Sequence, residues 1–217
     1  MRNVNYLGIV VLALMTGLTG FALTWEKTSL DLILPAGTGE LVAEFPFKNE
    51  GTGTVTIREL ASSCGCSTPT VKSRTIPAGD TGIVTVVYVA GDRMGLQTAR
   101  LIVTTDEVGV APASLSLKVD IQPALTLTPR LVQWTKADRA LTRTIAIKQL
   151  SSSAVRILDV KPAGDALAAE LKAGAEAGTW LLTLTPKSLE QPSTTKVEIH
   201  VQAGERKLTY TVFGIVR

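Results

Sequence analysis

Residues 45–60, FPFKNEGTGTVTIREL, and residues 145–160, IAIKQLSSSAVRILDV, superpose without a gap. Phe45 falls on Ile145, Phe47 on Ile147, Lys48 on Lys148, Val55 on Val155, Ile57 on Ile157 and Leu60 on Val160. Each segment reads as an alternating strand, a small polar turn (Asn49 to Gly53; Gln149 to Ser153) and a second alternating strand. Side chains along a strand point to opposite faces in turn, so Phe45 and Phe47 share one face and Val55 and Ile57 the face opposite. That is the pattern of a hairpin that buries one side. A pattern written twice in one chain signals duplication.

The correspondence extends outward with small gaps. Val84 and Val86 match the Leu181 region, Leu101 and Val103 match Val197 and Ile199, and Leu115, Leu117 and Val119 match Leu208, Tyr210 and Val212. Short runs rich in Val, Ile, Leu and Thr are separated by Gly, Pro, Ser and Asp clusters at the spacing of a sandwich or barrel. The strands predicted in the first half are 26–34, 41–48, 54–60, 69–75, 82–89, 97–105 and 114–121. In the second half they are 125–134, 141–149, 154–160, 167–172, 179–185, 194–202 and 207–215. The fold class is therefore all-β: two tandem immunoglobulin-like β-sandwiches, residues 25–122 and 123–217, meeting at Gln122-Pro123. The Cys-Trp-Cys hallmark of antibody domains is absent. Asp165 to Ala173 (DALAAELKA) has helix formers and an N-cap candidate. Leu167, Ala169 and Leu171 also alternate, however, and the repeat places a strand there.

The 217-residue chain is 19% charged and 45% hydrophobic, ordinary for a sequence that buries a core. A net charge of +3, with both signs interspersed, offers no phosphate-binding surface and argues against nucleic acid. The N-terminus is different. After Arg2, the 18 residues Tyr6 to Leu23 carry no charge, and Gly20 and Ala22 stand at −3 and −1 of a cut after Ala22. That is the layout of a signal peptide spanning residues 1–22. The competing reading is an uncleaved anchor. As a helix, residues 6–23 would reach about 27 Å against a hydrocarbon core of about 30 Å, though Gly8, Gly17 and Gly20 weaken such a span. Either way the body is expected to cross the inner membrane, to the periplasm or beyond.

Phe45-Pro46-Phe47-Lys48-Asn49-Glu50-Gly51, then Ser63-Cys64-Gly65-Cys66-Ser67, then Ile76-Pro77-Ala78-Gly79-Asp80 resemble a bacterial family of domains of unknown function. That family is related to Hydin-type (ASH) immunoglobulin-like domains. Gly91-Asp92-Arg93 with Gly95 and Gln97, and Val103-Thr104-Thr105-Asp106, add to the likeness. It is dense over residues 40–121 and looser through Thr128-Pro129-Arg130 and Trp134. The resemblance implies the sandwich fold and an exported location. It implies no activity, and a role in protein interaction only by analogy between folds.

Chemistry concentrates in Cys64-Gly65-Cys66, where the second repeat has Gly164-Asp165-Ala166. Three readings stand. The loop is a tight turn whose small side chains pack against the sandwich edge. Or Cys64 and Cys66 form a disulfide, permitted in an oxidising compartment, with Gly65 allowing the fold-back; so small a ring would be readily reduced. Or the two thiolates, with Met94 from the loop after strand 82–89, make a soft-metal site for Cu(I). No other cofactor is expected.

The remaining polar residues have simpler roles. His200 lies on the outward face of a strand. Asp92 and Arg93 fit a turn ion pair. Asp80, Asp106 and Glu107 are too dispersed for calcium. Trp134 and Trp180 fill the second core. The sequence thus points to a non-enzymatic exported module, structural or bound to an unidentified envelope protein. Copper or thiol-redox handling at Cys64 and Cys66 is the alternative.

Overall fold

The computed structural model describes residues 22–152 and 154–217. Its first unit contains β1 (Leu23–Trp25), β2 (Ser29–Leu34), β3 (Glu40–Asn49), β4 (Val55–Ser62), β5 (Ser67–Val71), β6 (Thr75–Ile76), β7 (Thr81–Val89), β8 (Gly95–Thr105) and β9 (Ala113–Ile121). The second contains β10 (Leu125–Thr128), β11 (Leu131–Trp134), β12 (Arg143–Gln149), β13 (Val155–Pro162), β14 (Leu167–Ala173), β15 (Thr179–Pro186), β16 (Ser193–Ala203) and β17 (Arg206–Val216). Of the signal peptide read over residues 1–22 only Ala22 lies within the described residues, and of the alternative anchor over 6–23 only Ala22 and Leu23. Of these, Leu23 is buried in the first core and opens β1, so the first unit starts ahead of residue 25.

Each unit is a sandwich of two sheets, and the two units share one topology. The first has sheets β1-β3-β7-β5 and β2-β9-β8-β4-β6; the second has β10-β12-β15-β14 and β11-β17-β16-β13. In both, the second strand runs parallel to the last, β2 beside β9 and β11 beside β17, while the other pairs are antiparallel. The duplication reaches into irregularities. The β4–β8 register shifts between Ile57 and Glu59, and the β13–β16 register shifts between Ile157 and Asp159, one hundred positions later.

The strands form where alternation buries one face. Phe45, Phe47, Val84, Val86, Leu115 and Leu117 meet Val55 and Ile57 in the first core. Trp134, Ile145, Ile147, Val197 and Val212 occupy the second, with Trp180 packed against it half-buried. The 165–173 segment is the strand β14, paired along its length with β15.

Three readings change. β3 and β4 do not form a hairpin: β3 pairs with β1 and β7, whereas β4 pairs with β6 and β8. Residues 50–54 carry the chain from one sheet to the other, so Phe45 and Ile57 face each other across the core. Alternation cannot separate these cases, because a hairpin and a sheet-crossing arch bury the same side chains. The single strand 125–134 divides into β10 and β11 in opposite sheets, whereas 26–34 holds β2 alone, from Ser29, with β1 ahead of it in the other sheet. In the second unit the break is at Pro129, after a cis peptide bond, where the ring has no N–H to give a ladder. Segment 69–75 likewise divides into β5 and β6.

Only Gln122–Ala124 separate β9 from β10, and they are tied down. Ala124 and Leu125 both donate backbone N–H to the Tyr210 hydroxyl, at 2.8 and 3.1 Å. The Ala124 carbonyl accepts from Leu150 N–H at 2.9 Å.

Candidate functional site

β4 ends at Ser62 and β5 begins at Ser67 in the other sheet, so the Cys64 loop is an arch over one end of the first sandwich. Cys64 and Cys66 are joined as a disulfide with Cα atoms 5.2 Å apart. Cys66 is buried in the first core and Cys64 packs against it half-buried. Polar contacts hold both flanks. Ser62 and Ser67 hydroxyls meet at 2.5 Å, Ser63 N–H donates to Arg100 O at 2.8 Å, and Arg100 N–H returns a bond to Ser63 Oγ at 2.9 Å. The Cys66 carbonyl accepts from Val89 N–H at 2.8 Å.

That bond joins the arch to the loop between β7 and β8, which carries Met94. The loop thus lies at the sandwich end expected for it, but the Met94 side chain packs against the second core while Cys64 packs against the first. The three sulfurs are not gathered into one site. Among the described residues no group of three His, Cys, Asp or Glu side chains is placed to hold a metal ion.

The same loop carries a feature with no sequence signal. Arg206, at the start of β17, is only 4% exposed and reaches into the first unit. Its guanidinium donates to the carbonyls of Gly91 (3.1 Å), Arg93 and Ala36 (3.2 Å). Burial pushes its pKa down, while Tyr210, Asp92 and Tyr88 pull it up. The preceding turn presses on the same segment: Glu205 N–H donates to Gly37 O at 3.1 Å, and a Cβ on Gly204 would lie 2.6 Å from that oxygen. Read along the chain, Gly204-Glu205-Arg206-Lys207 is an ordinary charged turn; its acceptors lie more than a hundred residues away.

The other singled-out residues are structural. His200 is half-exposed on β16, with Nδ1 3.2 Å from Thr209 Oγ1. The expected Asp92–Arg93 ion pair is not formed among the described residues; Arg93 Nη1 turns back to Ala90 O at 3.4 Å. Asp106 accepts from Thr56 N–H at 2.8 Å, and this bond holds its carboxyl below the usual range. Glu107 accepts from Ala22 N–H and the Thr105 hydroxyl.

The first unit also has a cleft of about 840 Å³ at the opposite end of β7, where β5 has already left the sheet. Pro46, Phe47, Val71, Ile76 and Ile83 supply its apolar lining, with Lys72 and Glu26 at the rim. Gly82 makes room beside it, since a Cβ there would lie 2.3 Å from the Phe47 ring.

No curated protein matches the chain in sequence. Among solved structures, the Vibrio cholerae VesB protease is similar over 46% of this chain and 32% of its own length, with 17% identity and a TM-score of 0.35. The chain thus spans about a third of that protein. A protein of unknown function from Porphyromonas gingivalis W83 is similar over 89% of this chain and 99% of its own (14% identity, TM-score 0.34). A tandem pair of titin immunoglobulin domains is similar over 90% and 97% respectively (9% identity, TM-score 0.34). The first sandwich, residues 23–121, matches the model of a family described as a protein of unknown function, DUF1573.

Proposed function

We propose that this chain is a non-enzymatic, exported module that binds another protein of the cell envelope. One observation carries the reading: the outer face of sheet β1-β3-β7-β5 carries a run of exposed apolar side chains along β7 and part of β3. The outward positions of β7 are Ile83, Thr85, Val87 and Val89; across from them on β3 lie Pro46, Glu44, Val42 and Glu40, so Val42, Val87, Val89, Pro46 and Ile83 form an apolar patch interrupted by two carboxylates. Val42 is 57% exposed. A contiguous patch of exposed apolar side chains marks a place of contact. The uncharged N-terminal segment and the disulfide both suit an oxidising compartment outside the inner membrane.

The test is a photoreactive benzophenone residue at Val42 in cells of the source organism, with one at the exposed Asp165 as control. A discrete adduct is expected from position 42 only, lost when Val89→Glu is added to a chain that keeps its melting temperature. Equal adducts at both positions, or none at 42, would count against the reading.

A second reading is favoured by the half-burial of Cys64 beside a buried Cys66. Thiolate of a dithiol donor would attack the Cys64 sulfur and break the S–S bond, and the donor's second thiol would then resolve the mixed disulfide, leaving two thiols here and a disulfide on the donor. Thiol titration against a dithiol redox buffer separates the two: a bond that stays intact until the chain unfolds removes the redox reading.

A further inference from the structure

We infer that the cleft at the lower end of β7 is a docking notch for one extended peptide strand of a partner protein, an apolar side chain filling the cleft and an acidic residue meeting Lys72. The inference rests on the interaction-module reading above and gives that module a site.

The backbone argument comes first. β7 runs from Thr81 to Val89, but β5 pairs with it only from Val84 to Tyr88. Hydrogen-bonded residues alternate along an antiparallel ladder. The Val89 N–H to Cys66 O bond fixes that alternation: Val89, Val87 and Thr85 direct their N–H and C=O toward β5. By the same phase Ile83 and Thr81 direct theirs to that side, where β5 is no longer present. Asn49 N–H bonding Asp80 O confirms the complementary phase toward β3. The Val71–Val84 pair brings Lys72 N–H to Ile83 O, and beyond it nothing among the described residues pairs with Ile83 N–H or with the N–H and C=O of Thr81 on that edge. Two donors and one acceptor at strand spacing are therefore presented to an incoming strand, the arrangement that strand addition uses.

The opening is built into the fold. In the second unit β14 covers β15 from Trp180 to Pro186, leaving no such gap. In the first, the chain turns away after Val71 and is pinned to the other sheet. Arg74 Nη1 donates to the carbonyls of Ile57 and Arg58 at 3.2 and 3.0 Å, and Ile57 N–H donates to Arg74 O at 2.8 Å. The detour cannot close over the β7 edge while those bonds hold. The neighbouring edge of β5 is protected by contrast. Its outward-facing positions in this phase are Ser67, Pro69 and Val71, and Pro69 has no N–H to offer.

Side chains add the selectivity. Phe47, Ile76 and Val71 form an apolar floor that suits a branched aliphatic or aromatic residue. Lys72 is exposed at the rim and has no ion-pair partner among the described residues, so it complements an acidic side chain on the occupant.

The test is selection of ten-residue peptides from a random phage-displayed library on the full chain, followed by fluorescence-polarisation titration of the enriched peptides after synthesis. Enriched sequences should alternate apolar residues and carry an acidic one. Ile83→Pro removes an N–H that bonds nothing in the fold; it should weaken binding at least about tenfold, the effect of losing roughly one well-made contact. Lys72→Glu should weaken it several-fold. If Ile83→Pro also lowers the melting temperature, amide exchange decides: bound peptide must slow exchange at Thr81 and Ile83 in the unmodified chain. Peptides that bind with no response from either variant or from those amides would overturn the notch while leaving the module reading intact. If no peptide is enriched, adducts at Val42 would refute the notch alone, and their absence would refute both.

Discussion

Asn49 shows how a single polar residue can hold a sandwich together. It is fully buried, and its Nδ2 donates toward Gly53 O and Ile76 O, both at 2.8 Å, and Pro77 O at 3.1 Å. Oδ1 accepts from Gly51 N–H at 3.0 Å. One side chain thus ties the arch after β3 to the turn before β7, in a place water does not reach. Asn49→Ala would strand those carbonyls without donors, and should destabilise the protein by about 2–3 kcal/mol in urea denaturation. Asn49→Asp should cost at least as much, because an acceptor-only carboxylate would face three carbonyl oxygens. In the sequence Asn49 is legible only as the start of a small polar turn. Its burial comes from Ile76 and Pro77, nearly thirty residues on, and no local pattern announces that.

At the level of elements, the repeat made most of the strands readable because alternation is a local property, and the offset between residues 45–60 and 145–160 persists through the bulges. Which strand lies beside which was not readable. β3 with β4 looked like a hairpin because both bury alternate residues, and the break that divides 125–134 falls within continuous alternation. The Cys64 arch illustrates the same limit: its small residues and position were apparent, its disulfide was one of several readings, and the direction of Met94 depended on a second core in another unit. The two arches also predict how much the disulfide matters. β13 and β14 make the same crossing through Gly164, Asp165 and Ala166 without any cysteine. Closing a ring of three residues removes little freedom from the unfolded chain, worth about 1.6 kcal/mol at most on the chain-entropy estimate. The Cys64→Ser, Cys66→Ser double variant should therefore keep its circular dichroism spectrum and lose no more than that in denaturation. A larger loss would mean that the arch needs the bond to form.

Across the whole molecule, the question is how two sandwiches with separate cores act as one body. The linker Gln122–Ala124 is short, the Tyr210 hydroxyl holds its backbone, and Ala36 and Met94 of the first unit pack against the second core. Arg206 is the polar part of this junction, a buried cation matched to three carbonyls of the first unit in place of a carboxylate. Its guanidinium fork suits several acceptors at once, which a lysine would not. A fragment of residues 123–217 retains nearly all of the second core and should fold cooperatively with a β-type spectrum, though less stably than within the full chain. In that fragment Arg206 has no carbonyls to meet and becomes solvated, so Arg206→Ala should change stability by less than about 0.5 kcal/mol. In the full chain the same substitution leaves buried carbonyls unpaired and should cost about 2–3 kcal/mol, with the single unfolding transition separating into two. The difference between those two losses is the coupling between the units. Equal losses would place the role of Arg206 within the second sandwich and leave the junction to its apolar contacts.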